Sequence, residues 1–125
     1  MTSLVRPLFL YFQLLWHHLV YVTAVTEPER FHSNLGITYF HLGSFRKAIA
    51  HLEKSEELRH GDDRGFARYD SFYLGLCFMN LDECLEAIRH LEDYLRLKPD
   101  DQHIKESIDW CRRQLPQEEQ SKRCA

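Results

Sequence analysis

Residues 35–58 read LGITYFHLGSFRKAIAHLEKSEEL, and residues 74–97 read LGLCFMNLDECLEAIRHLEDYLRL. Sliding the chain by 39 residues lays one stretch on the other with nine identities. Leu35-Gly36 meets Leu74-Gly75, Leu42 meets Leu81, Ala48-Ile49 meets Ala87-Ile88, His51-Leu52-Glu53 meets His90-Leu91-Glu92, and Leu58 meets Leu97. Self-similarity at a fixed period is the mark of a repeat architecture. Within each copy, Leu35, Tyr39 and Leu42, then Leu74, Phe78 and Leu81, fall at i, i+4, i+7, the spacing of one helix face. A break follows at Gly43-Ser44 and at residues 80–83. A second helical stripe then runs Phe45, Ala48-Ile49, Leu52 and, in the other copy, Cys84, Ala87-Ile88, Leu91, Leu95. Each unit is therefore expected to be a helical hairpin with a short turn.

A glycine inside a helix costs about 1 kcal/mol relative to alanine. Gly36 and Gly75 must be offset by something, and the simplest offset is close approach of the second helix at Ala48 and Ala87.

On these residues the chain resembles the tetratricopeptide-repeat (TPR) family. The shared pattern is Leu-Gly, an aromatic three residues on, an alanine in the second helix and a closing proline: Leu35-Gly36, Tyr39, Ala48, Leu52, then Leu74-Gly75, Phe78, Ala87, Leu91, Pro99. The match covers about residues 29–99. It departs at His32 and Ser71, which stand where the family has an early Trp, and at His60, where the closing Pro is missing. The usual unit is about 34 residues, so the longer period implies an insertion within residues 60–66, where Asp62 or Asp63 could cap a helix. The resemblance implies an all-α TPR helical-hairpin solenoid. It has two hairpins (residues 27–116 with the cap), a C-terminal capping helix, an apolar N-terminal helix (residues 1–26) and a polar tail (residues 117–125).

The capping helix is expected after Asp100-Asp101. Ile104, Ile108, Trp110-Cys111 and Leu115 would form its stripe, and Pro116 would end it.

In this family the first helices of successive hairpins line a concave groove for an extended peptide or a partner helix. Carried over by helical phase, the resemblance puts Ile37, Phe40 and His41 on the groove from the first hairpin, with Ser33 beside them. Tyr69, Phe72, Leu76, Met79 and Asn80 come from the second, and Trp110 and Arg113 from the last helix, with His103 and Glu106. Methionine and aromatics suit an adaptable apolar groove. Some of these side chains can equally belong to the core. Family members that clamp a chaperone's C-terminal carboxylate use Lys, Arg and Asn in the groove. Here Ser33, Ile37, Tyr73, His103 and Ser107 occupy those places, so that function is not expected.

Outward from the repeat, composition is asymmetric. The chain has 125 residues, a net charge of −3, 28% charged and 44% hydrophobic residues, enough for one modest core. Nothing in that balance favours nucleic acid, and basic residues are interspersed with acidic ones as on a solvated helix face. From Leu8 to Thr26 there is no charged residue. Residues 8–25 have three competing readings: a membrane span or anchor, a cleaved signal segment with Val22-Thr23-Ala24 as its site, or a helix packed on the first hairpin between Arg6-Pro7 and Glu27-Pro28. Length just reaches the lower limit of a span, and Gln13, His17 and His18 oppose it. A helix apolar nearly all round should be buried. A homo-oligomer in which this helix fills a neighbour's groove is a further alternative.

Cys77, Cys84, Cys111 and Cys124 form no Cys-x-x-Cys pair and read as small buried hydrophobes, with a lean to a reducing, cytoplasmic compartment. His51 and His90 recur because the repeat recurs, Glu86 with His90 reads as a surface pair, and no His-Glu-x-x-His occurs. No phosphate loop or nucleophile elbow is present, and Cys84 stands where Phe45 stands in the other copy. The expectation is a non-catalytic adaptor or scaffold that binds a protein or peptide, without metal or cofactor. The alternative is an anchored or exported subunit that tethers an assembly to a bilayer through residues 8–25.

Overall fold

A computed structural model describes residues 5–59 and 64–116. All the elements described are helical: α1 (Val5–Thr26), α2 (Pro28–His41), α3 (Phe45–Leu58), α4 (Arg64–Asn80), α5 (Cys84–Leu97) and α6 (Gln102–Gln114). Asp62, Asp63, Cys124 and the tail from Gln117 lie outside the described residues.

The expected hairpins form. α2 packs antiparallel on α3 and α4 on α5, and α3 lies against α4, so the two hairpins stack in chain order. α6 packs on α5. Both turns use one device. At the end of α2, Gly43 takes the left-handed conformation (φ 77°), its N–H donates to the Phe40 carbonyl, and Ser44 N–H donates to Tyr39. At the end of α4, Asp82 takes the same conformation (φ 58°), Asp82 N–H donates to Met79, and Glu83 N–H donates to Phe78. These are Schellman caps at equivalent positions of the two copies.

The glycines work as anticipated, but the closest neighbour is leucine rather than alanine. A Cβ on Gly36 would lie 2.5 Å from Leu52 Cγ and 3.1 Å from the Ala48 carbonyl oxygen. A Cβ on Gly75 would lie 2.6 Å from Leu91 Cγ. Leu52 and Leu91 are fully buried, so neither has room to withdraw.

The core runs through α3, α4, α5 and α6. Cys77, Cys84 and Cys111 are buried in it as free thiols, as expected of small apolar residues. The Asp101 side chain caps α6 by accepting from Ile104 N–H at 3.3 Å, and its other oxygen accepts from Tyr94 Oη at 2.8 Å. Ile104, Ile108 and Cys111 face inward, whereas Trp110, placed on the same stripe by sequence, is 39% exposed. Glu86 and His90 are not a surface pair: Glu86 pairs with Arg89, and His90 is buried against Phe78.

The N-terminal side of the first hairpin is covered thinly. The second hairpin is covered by α3 of the first, which lies over α4, and Leu74 and Cys77 are fully buried. Their counterparts on α2 are Leu35, which is half-buried, and Thr38, which is exposed. α1 meets α2 across a cavity of about 320 Å³ lined by Trp16, Leu19 and Val20 on one side and Phe31, Leu35 and Ile37 on the other. Tyr11, Phe12, Leu14 and Tyr21 on α1 are exposed. Among the described residues no helix is long and apolar enough to cross a membrane.

Candidate protein-binding groove

Stacking the hairpins brings the two first helices, α2 and α4, side by side. Tyr73 is their junction. Its ring meets Phe40 edge-on at 5.2 Å, His41 at 6.0 Å and Phe72 at 5.2 Å. Phe40 also rests on Phe45, and Phe72 on Tyr94. Beside Tyr73, a cleft of about 250 Å³ is lined by Ser33, Asn34, Ile37, Tyr69 and Tyr73. Asn34 and Ile37 also line the cavity under α1. The two hollows share Asn34 and Ile37 in their walls.

The residues expected on a groove divide in two. Ile37, Phe40, Phe72 and Met79 are half-buried and pack against the core. Each touches the core and still shows part of its surface. Leu76 is half-buried, and its carbonyl accepts from Asn80 Nδ2 at 2.8 Å. His41 and Asn80 are exposed, and Tyr69 is 51% exposed. Trp110 and Arg113 are exposed on α6, the helix that packs on α5. The tight cluster is therefore the α2–α4 set.

Beneath that set lies a polar network that sequence reasoning missed. Asp70 on α4 is fully buried. Its Oδ1 accepts from Ser33 Oγ at 2.6 Å, and its Oδ2 accepts from Ser55 Oγ at 2.8 Å and from Arg59 Nη2. One carboxylate thus ties α2, the end of α3 and α4 together. Burial pushes the Asp70 carboxyl above its ordinary range, against the pull of the serine and arginine hydrogen bonds. Glu56 is also raised, by burial first and then by the Asp70 charge. The available signal was a lone acid at the head of an otherwise uncharged run, residues 69–81. A charge at such a place needs a partner.

A second polar pair closes the far end of the first hairpin. His32 Nδ1 and His51 Nδ1 are 3.0 Å apart, and the His51 ring stacks on Tyr39. Burial, His51 and Lys54 together hold the His32 pKa below its ordinary value. Among the described residues no group of three or more His, Cys, Asp or Glu side chains could hold a metal ion.

No protein-family model matches the chain, and no curated protein is similar to it at a significant level.

Proposed function

We propose that the chain is a TPR-type helical-hairpin solenoid that works as a non-catalytic, cytoplasmic interaction module. It takes an apolar peptide or helix on the face formed by α2 and α4. The observation that carries this reading is the partly exposed aromatic cluster around Tyr73. It sits beside a cleft on the face where two repeated first helices meet, and the Asp70 network fixes those helices to each other. The occupant buries apolar surface against Ile37, Tyr69, Leu76 and Met79. Aromatic and methionine side chains adapt to such a surface with little polar constraint.

The test is a substitution that leaves the core alone. Tyr69 is half-exposed, so Tyr69→Glu keeps the fold and abolishes partner binding at an unchanged melting temperature. Phe72→Glu is a poorer probe, because Phe72 leans on Tyr94 in the core. Normal binding by Tyr69→Glu and by Leu76→Glu would overturn the reading.

A further inference from the structure

The seam between α5 and α6 holds two cysteines in contact. The buried stripe of α5 includes Cys84, Ile88 and Leu91, and that of α6 is Ile104, Ile108 and Cys111. After the short connection 98–101, α6 returns along α5, so the two stripes run in opposite directions and Cys84 comes level with Cys111. Their side chains are hydrogen-bonded to each other. Both are free thiols, 6% and 0% exposed. The pair is not a product of the repeat, since the first copy has Phe45 where the second has Cys84.

One member can be reached from outside. A cavity of about 470 Å³ opens between the α4–α5 turn and the end of α6, with Glu83, Cys84 and Leu85 on one side and Gln114 and Leu115 on the other. Cys84 forms part of its wall. Cys111 is fully buried, and burial first, then the charge and hydrogen bond of Cys84, push it up to about 12, so Cys111 keeps its proton. The nucleophile is the thiolate, which leaves the attack to Cys84.

We propose that Cys84 and Cys111 are a reversible redox pair: a hydroperoxide oxidises Cys84 from the cavity, and Cys111 closes the disulfide that locks α6 to α5. In the first step the Cys84 thiolate, its proton given to water, attacks a peroxide oxygen. An S–O bond forms, the O–O bond breaks, and the departing alkoxide or hydroxide takes a proton from water. Cys84 is then a sulfenic acid. In the second step the Cys111 sulfur attacks that sulfur. The S–S bond forms, the S–O bond breaks, and the hydroxyl leaves as water with the Cys111 proton. The two thiols lose two electrons and the hydroperoxide gains them. A small dithiol reverses the change by exchange.

Size selects the reagent. A hydroperoxide adds one oxygen atom, which the second step removes. An alkylating agent leaves a group on sulfur for which a close-packed core has no room. The bond joins the first residue of α5 to the last turn of α6. That end is remote from the 98–101 connection, so oxidation holds α6 at both ends. In a reducing compartment such bonds are transient and redox-sensing. The pair belongs to α5 and α6, so it stands independently of the α2–α4 face proposed above.

The experiment uses the full chain with Cys124→Ser, folded and reduced. It is treated with hydrogen peroxide, blocked with N-ethylmaleimide in denaturant and mapped by mass spectrometry. The expected product has lost about 2 Da, joins the Cys84 and Cys111 peptides and retains Cys77 as a thiol. With Cys111→Ala, Cys84 is expected to stop at the sulfenic acid, trapped by dimedone on unfolding. With Cys84→Ala, Cys111 is expected to stay reduced. In the chain unfolded in urea, the shorter loop favours a Cys77–Cys84 bond, which marks a route through unfolding. The oxidised chain is expected to melt at a higher temperature than the reduced one, and dithiothreitol to restore the lower value. Thiols that all survive peroxide in the folded chain would overturn the proposal. So would Cys77–Cys84 as its main product, or oxidation of Cys111 in the Cys84→Ala chain at the parent rate. An oxidised chain that melts at or below the reduced one would overturn the locking of α6.

Discussion

The imidazole of His90 lies flat on the ring of Phe78, with centroids 5.4 Å apart and planes 5° apart. One repeat earlier, His51 lies on Tyr39 at 5.4 Å and 12°. The repeated histidine is thus a stacking residue that clamps the first helix of each hairpin to the second. Stacking of this kind adds about 0.5–1.5 kcal/mol beyond burial.

The histidines give the fold a pH dependence. Burial lowers His90, with Arg89 assisting, and burial, His51 and Lys54 lower His32. The unfolded chain takes up these protons near pH 6.5, whereas the folded chain resists them. The unfolded state therefore binds more protons below that pH, and stability at these sites falls as pH drops through it. Chemical denaturation at pH 7.5 and pH 5.5 is expected to show the loss, and His32→Gln with His90→Leu is expected to flatten it.

Gly75→Ala is expected to destabilise the chain, although alanine is the better helix former. The helix propensity gain is about 1 kcal/mol, but the new methyl group would overlap the buried Leu91 side chain. Overpacking of this kind costs about 1–3 kcal/mol. Urea melts should show a net loss for Gly75→Ala. The double variant with Leu91→Ala should be less unstable than the sum of the two single changes.

Asp70→Ala should be the most damaging single change outside the apolar core. It strands Ser33, Ser55 and a guanidinium whose Nε has no partner among the described residues. Breaking a buried ion pair by removing one partner costs about 3–5 kcal/mol. Asp70→Asn keeps an acceptor and should lose less. A loss well under about 1 kcal/mol for Asp70→Ala, measured by denaturant midpoint, would show that the network does not hold the hairpins together.

The buried thiols should be inert to alkylation in the native state. Burial pushes Cys77 up to about 11, and burial with the neighbouring Cys84 pushes Cys111 up to about 12. The nucleophile is the thiolate. In the Cys124→Ser chain, alkylation at pH 8 is expected to proceed only at the rate of unfolding, read by intact mass over time.

The parts of this architecture that repeat were legible in the sequence. The period shows a close helix approach at Gly36 and at Gly75, although the sequence points to Ala48 and Ala87 and the nearest side chains are Leu52 and Leu91, and it shows the two helix breaks at Gly43 and Asp82. Parts that occur once were not legible. Asp70 stands opposite Phe31 in the alignment of the two copies, and its partners come from positions 33, 55 and 59, a spacing no period contains. For the groove, helical phase names a face but not a depth, so Phe72 and Met79 could be assigned both to it and to the core. For α1, uniform apolarity asks for cover without saying which side is covered, and the face turned to α2 emerged only with the fold.

The most direct measurement is a photo-cross-linking amino acid placed in the native cell at Tyr69, His41 and Lys105 in turn. Tyr69 and His41 belong to the α2–α4 face, and Lys105 is exposed on α6. The account predicts that one and the same protein is captured from Tyr69 and from His41, and not from Lys105. Capture from Lys105 alone, or of unrelated proteins from Tyr69 and His41, would contradict it.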